Sequence, residues 1–332
     1  MPKRLTLPVA GAVTLAAFAL LGCARDAPPS GEVVATIPVD PHVGPDLKIG
    51  PDGDLWLPAS DTFGGSEVAY DDAVNAVVRI DPRRKKVEAV VAVSHPMSAL
   101  AIGEGTVWAT GTDYGPDDAA PRGSLVRIDP NGNRVTAAID LGDGSPSDVA
   151  VGFDSVWVSD STADVVYRVD PDTGAVVTEI AVTGGPTSLA VTADAVWVTK
   201  PATGQVRSID PATNAPGRAI GTGSNPAVLE SGGAGLFLAD YTSADLSLLR
   251  APEGIVRRVA FPSAPSRFAV GDDLVVVVEV EERAMSSLDG STRRVLIEDR
   301  LFVAVALTPD GRTAYAADAE AGAVVQVRLP AP

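Results

Sequence analysis

The chain has 332 residues, a formal net charge of −17 and a single cysteine. Such an acidic chain is a poor partner for nucleic acid, whose phosphates are bound by lysine and arginine. One cysteine also excludes a disulfide bond within the chain and a cysteine-rich metal site.

Residues 1–22 have the features of a lipoprotein signal peptide. Lys3 and Arg4 precede an apolar stretch at residues 5–21, and the sequence Leu-Leu-Gly-Cys then ends at Cys23. This is the lipobox pattern, in which signal peptidase II cleaves before a cysteine that carries diacylglycerol. The apolar stretch is shorter than the roughly 20 residues that a membrane-spanning helix needs. We therefore predict that Cys23 is lipidated.

The predicted lipid places the rest of the chain outside the cytoplasm. Residues 23–32 form a short lipidated tether that contains proline and serine, and residues 33–330 form one domain. A tether of this length holds the domain close to the membrane surface. We expect a monomer that is anchored to the bacterial cell membrane through the lipid on Cys23.

An aromatic or β-branched residue within a short β-rich run recurs about every 40 residues. The repeat positions are Trp56, Trp108, Trp157, Trp197, Phe237, Val276 and Tyr315. Units of this size cannot bury their own faces, so they must stack on one another. Short strands without a helical pattern then predict an all-β fold, a seven-bladed β-propeller.

The third unit shows how one blade is built. Its four strands are predicted at residues 146–151, 155–159, 165–170 and 176–182. The last two strands are joined by an Asp-Pro turn at Asp170, in which proline presets φ and glycine permits a positive φ. Similar Ile-Asp-Pro turns recur in other units, and we interpret them as turn chemistry rather than as a site.

The ring is predicted to close through its N-terminal strand. The last unit ends without a fourth strand, whereas residues 33–39 match residues 176–182 at four of seven positions. Pairing of this segment with the last blade covers edges that would otherwise promote aggregation.

The Val-Trp-Val runs at Trp157 and Trp197 and the Arg-Ile-Asp-Pro turns resemble the bacterial seven-bladed propellers with YVTN- or NHL-like repeats, including the streptogramin lyase-like group. The resemblance covers roughly residues 33–330. It implies the fold, but these repeats host binding modules and several enzymes. Streptogramin lyases carry catalytic histidines and a metal-ligating glutamate in later blades, whereas His42 and His95 both lie in the first third of this chain. The resemblance therefore does not imply streptogramin lyase activity for this chain.

One face of the predicted ring carries the longest loops. Loops into the innermost strands and loops between the second and third strands share this face. The latter contain the extra residues of the first two units, at 61–75 and 111–123. Insertions on one face of a repeat fold often mark a binding face, although tolerated loop growth is an alternative. Residues that follow second strands suggest a polar mouth of mixed charge, with acid in excess: Asp61, Asp160, Lys200, Asp240, Glu279 and Asp318.

Six residues are predicted to contact a ligand at this mouth. They are Asp46, Lys48, His95, Asp148, Glu230 and Arg267. Lys48 and Glu230 stand where five other units carry alanine near the channel axis, so each must be solvated or paired. A ligand contact and an ion pair across the channel are both open.

The leading functional hypothesis is a binding or scaffold module for a protein, a peptide or a small ligand. The alternative is a metal-dependent lyase or hydrolase with carboxylates at the channel mouth. A redox quinoprotein-like propeller ranks last because its cysteines and cofactor motifs are missing. The sequence contains no Ser-His-Asp spacing, phosphate-binding glycine loop or cysteine–histidine metal pattern. We therefore assign no catalytic residue, metal or cofactor.

Overall fold

The computed structural model describes residues 31–330 except 41, 64–73, 116–119, 224, 252 and 273. In this part of the chain, seven four-stranded antiparallel sheets are formed. The predicted seven-bladed all-β propeller is confirmed. The predicted signal peptide, Cys23 and most of the tether lie outside the described residues. None of the helical segments in those residues is long and apolar enough to span a membrane.

The first four blades follow the chain, each from its innermost to its outermost strand. Blade 1 contains β2 (Lys48–Ile49), β3 (Leu55–Ser60), β4 (Asn75–Asp81) and β5 (Lys86–Ala92). Blade 2 contains β6 (Met97–Gly103), β7 (Thr106–Asp113), β8 (Arg122–Asp129) and β9 (Arg134–Asp143). Blade 3 contains β10 (Pro146–Val151), β11 (Val156–Asp160), β12 (Val165–Val169) and β13 (Val176–Ala181). Blade 4 contains β14 (Leu189–Val191), β15 (Val196–Lys200), β16 (Gln205–Ile209) and β17 (Pro216–Gly221).

The last three blades complete the ring. Blade 5 contains β18 (Pro226–Gly232), β19 (Gly235–Asp240), β20 (Asp245–Arg250) and β21 (Gly254–Ala260). Blade 6 contains β22 (Arg267–Val270), β23 (Leu274–Glu279), β24 (Ala284–Asp289) and β25 (Thr292–Ile297). Blade 7 contains β26 (Phe302–Leu307), β27 (Thr313–Asp318), β28 (Ala323–Arg328) and, as its outer strand, β1 (Glu32–Pro38). A short 3₁₀ turn at Pro201–Thr203 follows β15.

The N-terminal strand closes the ring as predicted. β1 pairs antiparallel with β28, and Ile37 lies opposite Val324. Ile37 is 1% exposed and packs in a cluster with core residues of blades 1 and 7. The outermost position also tolerates Pro38, which cannot donate a ladder hydrogen bond.

The core lies between neighbouring blades, where the repeated tryptophans are buried. Trp157 of blade 3 is fully buried and belongs to a cluster with Leu189 and Val196 of blade 4. Trp56 likewise packs with Met97 and Leu100 of blade 2. Because successive strand residues point to opposite faces, the repeat position always projects toward the next blade.

An arginine on the third strand connects three of these tryptophans to the following blade. The guanidinium of Arg168 lies over Trp157 and donates hydrogen bonds of 2.7 Å to the carbonyl of Pro211 and to Asn214 Oδ1. The same stacking joins Arg79 to Trp56 and Arg127 to Trp108. The Asp-Pro turn of one blade is therefore the acceptor for the arginine of the blade before it.

Candidate functional site

One residue of each innermost strand lies opposite the repeat position of the neighbouring strand. Each of these residues pairs with the repeat position of its blade: Lys48 with Trp56, Ala101 with Trp108, Ala150 with Trp157, Ala190 with Trp197, Glu230 with Phe237, Ala269 with Val276 and Ala306 with Tyr315. Five of the seven residues are alanines, of which Ala101, Ala190 and Ala306 are buried in the cores between blades. The two charged exceptions, Lys48 and Glu230, line the cavities at the centre of the ring.

Lys48 and Glu230 form an ion pair across the channel. Lys48 Nζ lies 3.3 Å from Asp46 Oδ1 and 3.8 Å from Glu230 Oε1. Lys48 belongs to blade 1 and Glu230 to blade 5, so the pair joins blades that are not neighbours in the ring. Of the two possibilities left open by the sequence, the ion pair is therefore present. It does not exclude a ligand, because the side chains of Lys48 and Glu230 are 33% and 39% exposed.

A cavity of about 430 Å³ opens on one side of this ion pair. Five of the six predicted ligand residues line it: Asp46, Lys48, Asp148, Glu230 and Arg267. Five polar residues outside the six candidates also line it: Ser98, Ser147, Ser188, Asn225 and Tyr241. The sequence places the first four where the chain enters the innermost strands, on the face of the predicted mouth, whereas nothing in the repeat singles out Tyr241.

Two of the acidic residues also connect neighbouring blades. Asp46 Oδ2 accepts a hydrogen bond of 2.6 Å from the backbone N–H of Leu100 in blade 2. Asp148 Oδ2 accepts one of 2.8 Å from the N–H of Leu189 in blade 4. Each aspartate stands two residues before the axial position of its own blade. Their carboxylates thus have a structural role in addition to lining the cavity.

Arg267 spans the ring between blades 6 and 1. Its Nε donates a hydrogen bond of 3.1 Å to the carbonyl of Pro45, and its Nη1 donates one of 2.9 Å to the carbonyl of Ser266. Among the described residues, no carboxylate oxygen lies within 4.0 Å of its guanidinium nitrogens. Arg267 therefore brings to the cavity a positive charge that is held by carbonyl oxygens.

The close packing of charges shifts several pKa values. Burial in the channel raises the pKa of Glu230 to about 7; the Lys48 ammonium opposes this rise, and the carboxylates of Asp148 and Asp46 add to it. Burial also raises the pKa of Asp148 above its ordinary value, despite Lys48 and two backbone N–H donors. Burial lowers the pKa of Lys48, but the surrounding carboxylates outweigh it and the net pKa is raised. Lys48 thus stays charged while Glu230 titrates near neutrality.

His95 does not line the cavity, in contrast to the predicted placement at the mouth. It is 4% exposed, and its Nδ1 and Nε2 lie 2.9 and 2.7 Å from the hydroxyl oxygens of Ser94 and Ser124. Burial lowers its pKa. Its ring is held inside blade 2 because the adjacent hydroxyls satisfy both nitrogens of the neutral imidazole.

Five of the residues that follow second strands, Asp160, Lys200, Asp240, Glu279 and Asp318, are buried and do not supply the excess of acid expected at the mouth. Asp160 is fully buried, and its Oδ1 accepts hydrogen bonds from the backbone N–H groups of Thr162 and Ala163. Asp240 binds the N–H groups of its own loop in the same manner. These carboxylates stabilise the loops, so the charges that line the cavity come from the innermost strands and the residues that lead into them.

Two further expectations from the sequence concern this face: the loop insertions and, in the enzyme alternative, a metal site. Much of the insertions at 61–75 and 111–123 lies outside the described residues. The second one includes strand at both ends, because β7 continues to Asp113 and β8 begins at Arg122. Within the described part of the chain, no three His, Cys, Asp or Glu side chains are arranged to hold a metal ion.

The sheets and the axial cavity define this chain as a seven-bladed β-propeller. The fold is similar to that of the β-propeller domain of Myceliophteria thermophila Cps50 (Swd1), with a TM-score of 0.72 over 90% of this chain and 100% of that domain. The two sequences are 12% identical, so the likeness shows the fold alone. No protein-family model and no curated protein matches the sequence.

Proposed function

We propose that this protein is a lipid-anchored, extracytoplasmic propeller of the bacterial cell surface, with YVTN- or NHL-like repeats, that binds a protein, peptide or small ligand at its channel mouth. The observation that carries the proposal is the convergence of Asp46, Lys48, Asp148, Glu230 and Arg267 from four blades on one cavity of about 430 Å³. A concave site with a few convergent polar groups and shifted pKa values is a typical binding site.

The arrangement favours binding over catalysis. Asp46 and Asp148 accept hydrogen bonds from backbone N–H groups of the next blade, and Glu230 faces Lys48. Groups with such partners are held in fixed positions, which suits recognition of a complementary ligand at low entropic cost. A general base would need a free path to a substrate proton.

The anchor in this proposal depends on the sequence around Cys23. The lipobox follows an apolar stretch, and the first described strand begins at Glu32, nine residues after the cysteine. The propeller would therefore be held near the membrane, where its mouth can meet partners of the cell envelope.

The binding proposal is tested by blocking the mouth without changing a charge. Ala227 lines the cavity, so Ala227→Trp would fill part of it. The matched control is Ala219→Trp, at an exposed position on the outer strand β17. The full-length protein is immobilised, and partners from the cell envelope are captured by crosslinking and identified by mass spectrometry.

We expect Ala227→Trp to reduce capture of a specific partner at least tenfold and Ala219→Trp to leave it unchanged. Equal capture by both variants would place binding elsewhere. The anchor is tested separately by metabolic labelling with an alkyne fatty acid. Cys23→Ala should abolish the label, and an unlabelled wild-type protein would contradict the anchor.

A further inference from the structure

Arg267 lines the cavity of about 430 Å³ at the channel mouth, and only part of its hydrogen-bonding capacity is used. A guanidinium carries five N–H donors. One on Nε bonds the carbonyl of Pro45, and one on Nη1 bonds the carbonyl of Ser266. The other three have no acceptor in the part of the chain that the structure describes. Because Arg267 is partly exposed at the cavity, a bound molecule can supply the missing acceptor.

The other charges of this cavity already have partners. Each carboxylate oxygen of Asp46 and of Asp148 accepts a hydrogen bond from a backbone N–H group. The Lys48 ammonium lies 3.3 Å from Asp46 and 3.8 Å from Glu230. The described partners of the Arg267 guanidinium, in contrast, are uncharged carbonyls. Arg267 is thus the cation of the cavity that has no carboxylate in direct contact.

A second unused donor lies on the same side of the cavity. The side-chain amide of Asn225 has no hydrogen-bond partner among the described residues, and Asn225 also lines the cavity. Its backbone carbonyl accepts the N–H of Tyr241 at 3.0 Å. The Tyr241 hydroxyl donates to the carbonyl of Ser266, which also accepts from Arg267 Nη1. These contacts hold Asn225, Tyr241 and Arg267 together at the entry to the inner strands of blades 5 and 6.

We propose that the cavity binds its ligand through a carboxylate group, which contacts the guanidinium of Arg267 and the side-chain amide of Asn225. This inference rests on the binding function proposed above and names the chemical group that the mouth recognises. Arginine suits this role because its planar set of N–H donors matches the two oxygens of a carboxylate. A small organic acid and the C-terminus of a peptide both present such a group.

Glu230 allows the cavity to accept one additional negative charge. Its pKa is raised to about 7, chiefly by burial, and the charge of Arg267 is among the influences that oppose this rise. A carboxylate on Arg267 weakens that opposing influence, so Glu230 takes up a proton when the ligand binds. The charges that remain then cancel one another: Asp46, Lys48, Asp148 and Arg267. One proton offsets one charge, which favours a carboxylate over a doubly charged phosphate.

Two matched pairs of probes test the charge requirement: propionate with propionamide, and N-acetyl-trialanine with its C-terminal amide. The full-length protein in detergent is titrated with each probe by calorimetry at pH 7, and titrations into detergent alone are subtracted. We expect an acid to bind about tenfold or more tightly than its amide. A preference within the first pair identifies a small acid as the source of the carboxylate, and one within the second pair identifies a peptide C-terminus. Inorganic phosphate should bind more weakly than the better acid.

The same titrations measure proton uptake when they are repeated in two buffers of different ionisation enthalpy. We expect up to about half a proton per bound acid at pH 7, because Glu230 is then about half ionised. Glu230→Gln should abolish this uptake but retain the preference for the acid. Equal heats in the two buffers would contradict the role of Glu230.

Variants locate the binding. Arg267→Met should reduce the affinity for the acid to that for the amide. Asn225→Asp should weaken the acid alone, because it places a second anion on the side of the cavity that holds the guanidinium. Arg218→Met is the matched control, since Arg218 is exposed on the outer strand β17, and it should change neither affinity. Circular dichroism verifies folding, and Asn225→Asp provides the test if Arg267→Met does not fold.

The proposal is overturned if neither acid binds, if acids and amides bind equally, if phosphate binds most tightly, or if Arg267→Met and Asn225→Asp both retain the preference for the acid. Its failure is distinguishable from failure of the proposed function. Loss of partner capture in Ala227→Trp without any preference for an acid would overturn the carboxylate site alone. A preference for an acid without such a loss would support the carboxylate site and contradict capture of a partner at the mouth.

Discussion

The guanidinium carbon of Arg168 lies 5.0 Å from the ring centre of Trp157, on the strand next to it. This contact links the two most regular sequence features of the chain, the Val-Trp-Val run and the Asp-Pro turn. The buried tryptophan supports the arginine, and the arginine donates to the turn of the next blade at Pro211 and Asn214. The repeated residues of one blade therefore bind the turn of the next blade and join the two blades.

We expect Arg168→Met to lower the free energy of unfolding by about 2 kcal/mol. Methionine retains the aliphatic stem but loses the cation–π contact and three charge-assisted hydrogen bonds, to Ser155 Oγ, the carbonyl of Pro211 and Asn214 Oδ1, which leaves the carbonyl of Pro211 without this donor. Equilibrium denaturation in urea measures the change, provided that the transition is two-state.

The control for this prediction is Arg84→Met. The Arg84 side chain is 72% exposed and pairs with Glu88 and, at 3.6 Å, with Asp81, which keeps Arg83 as a second partner. The substitution should therefore lower the free energy of unfolding by less than about 0.5 kcal/mol. Similar losses in both variants would mean that Arg168 does not join the blades.

Closure of the ring provides a second prediction. Ile37 is 1% exposed and packs between blades 1 and 7. We expect Ile37→Ala to lower the free energy of unfolding by about 2–5 kcal/mol, because the apolar side chain is lost from the core and a cavity remains. Thr36→Ala is the matched control on the same strand, because Thr36 is exposed. Deletion of residues 32–38 should cause aggregation, since β28 would then present an unpaired edge. A soluble deletion variant with an unchanged melting temperature would contradict the closure.

The fold was predictable because its determinants are periodic. Trp157 and Trp197 lie 40 residues apart, and each is preceded by an innermost strand and followed by a third strand, a turn and an outer strand at similar distances. The N-terminal strand was predictable for the same reason, since it matches the outer strand of another blade. These features depend on local sequence, and each blade repeats the same local pattern.

The site was only partly predictable. Lys48 and Glu230 were identifiable because they interrupt a column of alanines, but their pairing required the ring geometry that brings blades 1 and 5 together. His95 and Asp160 were misplaced because a loop position does not tell whether a side chain faces the channel or is held by neighbouring hydroxyl and N–H groups.

We expect removal of metal ions to leave the protein unchanged. Asp46 and Asp148 already bind backbone N–H groups, and Glu230 faces Lys48, so a cation would have to displace these partners. The melting temperature should be the same with excess EDTA and after addition of Mg²⁺, Ca²⁺ or Zn²⁺. A rise of several degrees with one metal would instead favour the lyase or hydrolase alternative, because a ligand that binds the folded state stabilises it.

The last prediction concerns the pH dependence of stability. The pKa of Glu230 is raised from 4.5 to about 7, first by burial in the channel. An acid whose pKa is higher in the folded state binds more protons folded than unfolded, so stability is lost as pH rises between these two values. Glu230→Gln imitates the protonated form, and its stability relative to wild type should therefore increase from pH 5 to about pH 7 and level off toward pH 8. Denaturation midpoints at pH 5, 6, 7 and 8 measure this difference.

Glu320→Gln provides a control of opposite sign. Its carboxylate is exposed and hydrogen-bonded to Arg283, which lowers the pKa of Glu320. An acid with a lowered pKa stabilises the fold above its unfolded pKa and loses this contribution as pH falls. Glu320→Gln should thus be slightly less stable than wild type at pH 7, with a difference that shrinks toward acid. The denaturation midpoints of Glu230→Gln and wild type could instead differ by the same amount at every pH from 5 to 8. Glu230 would then not titrate in this range, and the ion pair with Lys48 would hold it ionised.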